Sequence, residues 1–125
     1  MQKRTAIANF ELIPPGILQV TFLKGQEEID LDEAKRHVSI GEELTNGKPI
    51  PLLIDATESL HELTNEAKDY IAQFSLKKAE AILVKELHQR IIATFYLKLS
   101  GKVNKHPTKV FNHREDAINW LKNYL

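Results

Sequence analysis

The sequence predicts a single α/β domain: a mixed β-sheet opened by an antiparallel hairpin and about four helices, in the order ββαβαβαβα. Three observations carry this. Two β-prone runs flank a Pro-Pro-Gly turn near the start of the chain. Later segments repeat apolar residues at spacings of three and four, and short continuous apolar runs lie between those segments. With 125 residues and no internal repeat or long linker, residues 1–125 are read as one domain.

Ile7 to Ile13 and Ile17 to Leu23 are the hairpin strands, and Pro14-Pro15-Gly16 turns the chain because proline presets φ and glycine accepts a positive one. From Asp30 to Asn46, Leu31, Ala34, Val38, Gly41 and Leu44 fall on one helical face. Asp30 with Glu33 makes a capping-box-like start, and Asn46-Gly47 supplies left-handed residues for the end. Pro51-Leu52-Leu53-Ile54-Asp55 is a continuous apolar run ending in a carboxylate, the profile of a central strand buried on both faces.

Thr64 to Leu76 places Ala67, Tyr70, Ile71 and Phe74 at helical spacing, with Thr64 as N-cap. Ala81 to Val84 is a short strand. A third helix, 87–100, carries Ile91, Ile92, Phe95, Tyr96 and Leu99 on a broad face and ends at Ser100-Gly101. Thr108 to Phe111 is the last strand. Asn112 with Glu115 makes another capping-box-like start, and Ala117, Ile118, Leu121 and Leu125 point one way, with Trp120 anchoring this helix at the sheet edge. Right-handed crossovers put the helices between the parallel strands on one common face.

Composition narrows the function. Seventeen Lys+Arg balance seventeen Asp+Glu, so the bulk positive field of a general nucleic-acid binder is missing. The absence of cysteine excludes disulfides, thiolate catalysis and Cys-bearing zinc sites. No apolar run reaches the roughly 20 residues of a membrane span, so the expectation is a cytoplasmic protein without stable membrane insertion. His37, His61, His88, His106 and His113 lack metal-ligand spacing, and neither a metal nor another cofactor is expected. Asp55 and Glu58 lack a nucleophile elbow or glycine-rich phosphate loop. Asp55 is read as accepting hydrogen bonds from the following loop, and no enzymatic activity is expected.

Charge is nonetheless uneven. Residues 27–69 hold twelve acids against four bases, whereas 85–109 hold six bases against one acid. The first stretch is either an acidic face for a basic partner or a set of salt bridges between neighbouring helices. Lys98, Lys102, Lys105, Lys109 and His106 form a loose basic run, read as solvated loop charge near a helix C-terminus. The broad face of Ile92, Phe95, Tyr96 and Leu99 is core, a homodimer contact, or the wall of an apolar ligand pocket.

Gly16-Ile17-Leu18, Pro51-Leu52-Leu53-Ile54-Asp55, Ala81-Ile82-Leu83-Val84 and Pro107-Thr108-Lys109-Val110-Phe111, followed by Ala117-Ile118-Asn119-Trp120-Leu121, together resemble the STAS or SpoIIAA-like fold. That is the architecture of bacterial anti-sigma factor antagonists, and the closer likeness is to short bacterial STAS-like proteins of unassigned function. In the antagonists an Asp-Ser pair followed by glycine starts the helix after the central strand, and its serine is the phosphorylation switch. Here the stretch reads Glu62-Leu63-Thr64-Asn65-Glu66, so the pair and the glycine are absent and Thr64 is the position left to inherit the role. The surrounding carboxylates oppose a phosphate, which favours Thr64 as a plain cap, and Ser59 stands in the same acidic setting. The resemblance implies a non-catalytic regulatory or protein-binding module, acting on a protein partner or on itself as a homodimer. Thr57, Glu58, Ser59, Glu62, Thr64 and Glu66 are its candidate recognition or switch residues. The alternative, through the related Sec14 class, is a binder of a lipid or small apolar ligand under helix 87–100.

Overall fold

The computed structural model describes residues 2–73, 77–85 and 106–125. Six strands form one sheet in sequence order: β1 (Gln2–Arg4), β2 (Ala8–Ile13), β3 (Ile17–Phe22), β4 (Ile50–Asp55), β5 (Lys77–Leu83) and β6 (Thr108–Phe111). The first three pair antiparallel, and β3 through β6 pair parallel. Three α-helices lie among the described residues: α1 (Leu31–Thr45), α2 (Asn65–Ala72) and α3 (Arg114–Leu121), the last running into a 3-10 turn over Lys122–Tyr124. The expected helix 87–100 and the expected tail of α2 at Phe74 to Leu76 fall outside the described residues.

The hairpin closes where Gly16, at φ 143°, donates its N–H to the carbonyl of Ile13 at 3.0 Å. Strand β1 is an addition to the predicted order. It has three residues, too few to show a period, and is held by register with Asn9 to Glu11 and by Thr5, whose N–H donates to the Ala8 carbonyl at 2.8 Å. Strand β5 starts at Lys77 rather than Ala81. Lys77 and Lys78 do not look apolar, but they sit beside an irregularity at Ile50/Pro51 where the strands shift register.

Side chains alternate between two cores along β3, β4 and β5. Leu18, Val20, Leu52 and Ile82 face α1 and α2, where they pack with Ala34, Leu44 and Ala67. Ile17, Leu53, Ala81 and Leu83 face the other way and pack with Ala117 and Leu121 of α3. Strand β4 is therefore central and buried on both faces, as its apolar run requires. Helices α1 and α2 share one face. Helix α3 covers the opposite one: it follows the last strand and makes no crossover, so the handedness rule does not constrain it.

The helix ends follow local chemistry, with two corrections. Asp30 Oδ1 accepts from the Glu33 N–H at 2.8 Å, and Asn46, at φ 54°, ends α1 in the left-handed region. The return half of the capping box is not made, because the Glu33 side chain turns elsewhere. At α3 the expected cap, Asn112, lies one residue too early: His113 occupies the N-cap position and makes no side-chain cap bond. Leu125 does not join the α3 face and is 53% exposed. Trp120 does pack on the edge strand, its ring 5.6 Å from that of Phe111.

Candidate functional site

The chain leaves the carboxyl end of β4 in a fixed direction. Asp55 Oδ1 accepts from the Thr57 N–H at 3.0 Å and from the Thr57 hydroxyl at 2.6 Å, so this carboxylate is engaged in a turn. The buried Ala56 donates its N–H to the Leu83 carbonyl at 2.8 Å. Beyond it, the β4–α2 loop lies along the β3–α1 loop. The Ser59 hydroxyl donates to the Gly25 carbonyl at 2.5 Å. Ile29 and Leu63 form a parallel bridge, with the Ile29 N–H on the Glu62 carbonyl at 2.8 Å and the Thr64 N–H on the Ile29 carbonyl at 3.0 Å. Between them His61 is buried and contacts the carbonyls of both Leu23 and Glu27.

Thr64 caps α2, its hydroxyl oxygen accepting from the Ala67 N–H at 3.2 Å. Both candidate hydroxyls thus already make local bonds, Thr64 as a cap and Ser59 as a tie between loops. The carboxylates behave differently. Glu58, Glu62 and Glu66 are exposed, and Glu27 and Glu28 on the facing loop are exposed as well. The six predicted residues therefore form one continuous stretch in which hydroxyls hold the loop and carboxylates meet solvent.

Two further acidic groups lie inside. Glu33, 3% exposed, accepts from the Thr5 hydroxyl at 2.6 Å, from Arg36 Nε at 2.8 Å and from His37 Nε2 at 2.6 Å. Burial alone would raise its pKa, but these donors outweigh it and leave the carboxyl below its ordinary range. His37 is shifted down, chiefly by desolvation, with Glu33 pulling the other way. Glu80, on β5, is opposed by burial yet brought down to about 2 by Lys77 at 3.5 Å and His106 at 3.2 Å. A surface groove of about 530 Å³ between Thr5-Ala6 and α1 is edged by Arg4, Lys35 and Arg36, away from the predicted stretch.

The sequence offers Glu33 only as a capping-box partner and His61 only as one of five histidines without metal-ligand spacing. Arg36 and His37 stand at helical spacing from Glu33, but Thr5 is 28 residues away from it, and the two partners of His61 are 34 and 38 residues away. The other predicted set, Ile92, Phe95, Tyr96 and Leu99, falls outside the described residues, as do Lys98, Lys102 and Lys105. Of the basic run, His106 reaches Glu80, and Lys109 lies 5.4 Å over the Phe111 ring. The charge pairing on α1 includes an ion pair from Lys3 to Glu43. Among the described residues no three His, Asp or Glu side chains are placed to hold a metal ion, and no helix is long and apolar enough to cross a membrane.

Comparison with known proteins matches residues 11–125 to DUF7793, a domain of unknown function. No curated protein matches. The crystal structure of an uncharacterised protein of the DUF3478 family from Shewanella loihica PV-4, described as having a SpoIIAA-like fold, superposes with a TM-score of 0.61 at 20% identity over 91% of each chain. A protein of unknown function from Arthrobacter sp. FB24 is 24% identical over 90% of this chain and 97% of its own, but its TM-score of 0.34 is too low to bear on the fold. The first of these likenesses establishes a SpoIIAA-like fold here.

Proposed function

The chain belongs to the DUF7793 family, and from that premise we propose that it is a non-catalytic regulatory module that binds a protein partner through the acidic β4–α2 loop. The observation that carries this reading is the contrast within that loop. The Ser59 hydroxyl, the His61 ring and the backbone of Glu62 and Thr64 tie it to the neighbouring loop at Gly25, Glu27 and Ile29, while Glu58, Glu62 and Glu66 keep their side chains in solvent. A loop ordered before binding spares the ordering cost of association, and exposed carboxylates on it favour a basic partner surface through complementary charge. Glu27 and Glu28 extend the acidic rim from the facing loop. The partner is a protein with a basic patch, working in the cytoplasm, rather than a nucleic acid.

The test is affinity purification from cells of the source organism with the wild-type chain and with Glu58→Lys, Glu62→Lys and Glu66→Lys combined. The expected result is loss of specific co-purifying protein from a variant whose circular dichroism is unchanged. An identical set of co-purifying proteins would sink the reading.

A further inference from the structure

His61 has a side chain with no solvent exposure, yet both of its ring nitrogens face oxygen. Nδ1 lies 2.6 Å from the carbonyl oxygen of Glu27, and Nε2 lies 2.7 Å from the carbonyl oxygen of Leu23. A carbonyl oxygen can only accept. Neutral imidazole has one N–H and one lone pair, so it can satisfy one of these oxygens and must aim its lone pair at the other. Imidazolium has two N–H groups in the required directions. With water excluded, no solvent molecule can relieve a mismatch, so this geometry distinguishes the two forms sharply.

We propose that His61 is held as imidazolium and that its second proton fastens the β3–α1 loop to the β4–α2 loop, so that loss of this proton loosens both. The charged and titratable groups around it fit. Glu27, on the β3–α1 loop, brings Oε2 to 3.9 Å from Nδ1 and supplies a counter-charge. From α1 the neighbouring titratable group is His37. Burial depresses its pKa, Glu33 opposes that, and the charges of Arg36 and His61 add to the depression. From β3 the neighbour is the uncharged ring of Phe22, edge-on at 5.5 Å. On its own loop Glu58 and Glu62 are exposed.

The consequence is local. Deprotonation removes one of the two carbonyl bonds and leaves the Ser59–Gly25 and Ile29–Leu63 ties in place. The loops open more often while the sheet stays folded. This inference does not depend on the acidic surface meeting a partner, and failure of either leaves the other standing.

The decisive experiment is a pH series on the ¹⁵N-labelled full chain, combining histidine side-chain proton–nitrogen correlation with amide hydrogen exchange corrected for intrinsic rates. Expected are two protonated ring nitrogens on His61 on the acid side of its titration. One proton then goes as pH rises, with a several-fold increase in corrected exchange over 23–29 and 57–64 and none over α3. A single protonated nitrogen at every pH, or loss of the proton without a change in those loops, overturns the proposal. In His61→Gln a single amide nitrogen replaces two opposed ones, so loop exchange becomes independent of pH. If that variant does not fold, the wild-type series decides alone.

Discussion

His37 and His61 both lie on the α1 side of the sheet, each against a hairpin phenylalanine, Phe10 at 5.0 Å and Phe22 at 5.5 Å, but their partners differ in kind. His37 donates to a carboxylate that also takes bonds from Thr5 and Arg36, so that region is a side-chain network pinning α1 to the β1–β2 turn. His61 donates to main-chain carbonyls, so its region is two loops stitched together through backbone. In the first, the Glu33 carboxyl and the His37 ring both have pKa values shifted down, so acid weakens the network. In the second the working state carries a proton. Two histidines on the same side of the sheet can thus be assigned opposite tasks by the acceptors they face.

The largest effect is expected from the first region. Glu33→Ala removes three charge-assisted bonds and should cost about 2–3 kcal/mol in urea denaturation. Next comes the acid response. Both Glu33 and His37 have folded-state pKa values below the ordinary 4.5 and 6.5. Each therefore contributes stability that is fully present above the ordinary value and is lost as pH falls through the lowered folded value. Denaturation midpoints should fall on acidification, and in Glu33→Gln the step below the ordinary carboxyl range should shrink. Unchanged steepness in that variant would assign acid lability to other groups, Glu80 first among them.

Smaller effects sharpen the contrast. Thr64→Ala and Asp30→Ala each remove one helix cap and should cost about 1 kcal/mol. The Thr64 change should raise amide exchange at the start of α2 and leave the Glu33 network untouched. Smallest of all, Glu58→Lys with Glu62→Lys should alter stability by no more than about 0.5 kcal/mol, because both side chains are exposed. A loss well above that value would mean that these carboxylates hold the loop, erasing the division between hydroxyls that tie and carboxylates that meet solvent.

Most of the fold was legible because it is local. The apolar run through Leu53 reads as a doubly buried strand, Asp30 and Thr64 read as caps, and Asn46-Gly47 reads as a helix end. Each of these depends on chemistry within a few residues. The candidate site was legible in its outline: an acidic stretch with three hydroxyls after the central strand. Its mechanism of order was not, because Gly25, Glu27 and Ile29 come from a loop that no spacing rule connects to Ser59, His61 and Leu63.

The sequence by itself determined the element types, the hairpin, the central place of β4 and the acid-rich character of the loop, since propensity, period and charge are properties of short segments. Only the tertiary structure decided that β1 adds an edge, that α3 covers the face opposite α1 and α2, and that Glu33 and His61 are buried. It also decided which atoms those two side chains meet. A titratable group takes its role from the donors and acceptors that surround it, and here Thr5 for Glu33, and Glu27 and Leu23 for His61, come from 28 to 38 positions away, brought into contact by packing of the sheet and helices, whereas Arg36 and His37 join Glu33 at helical spacing.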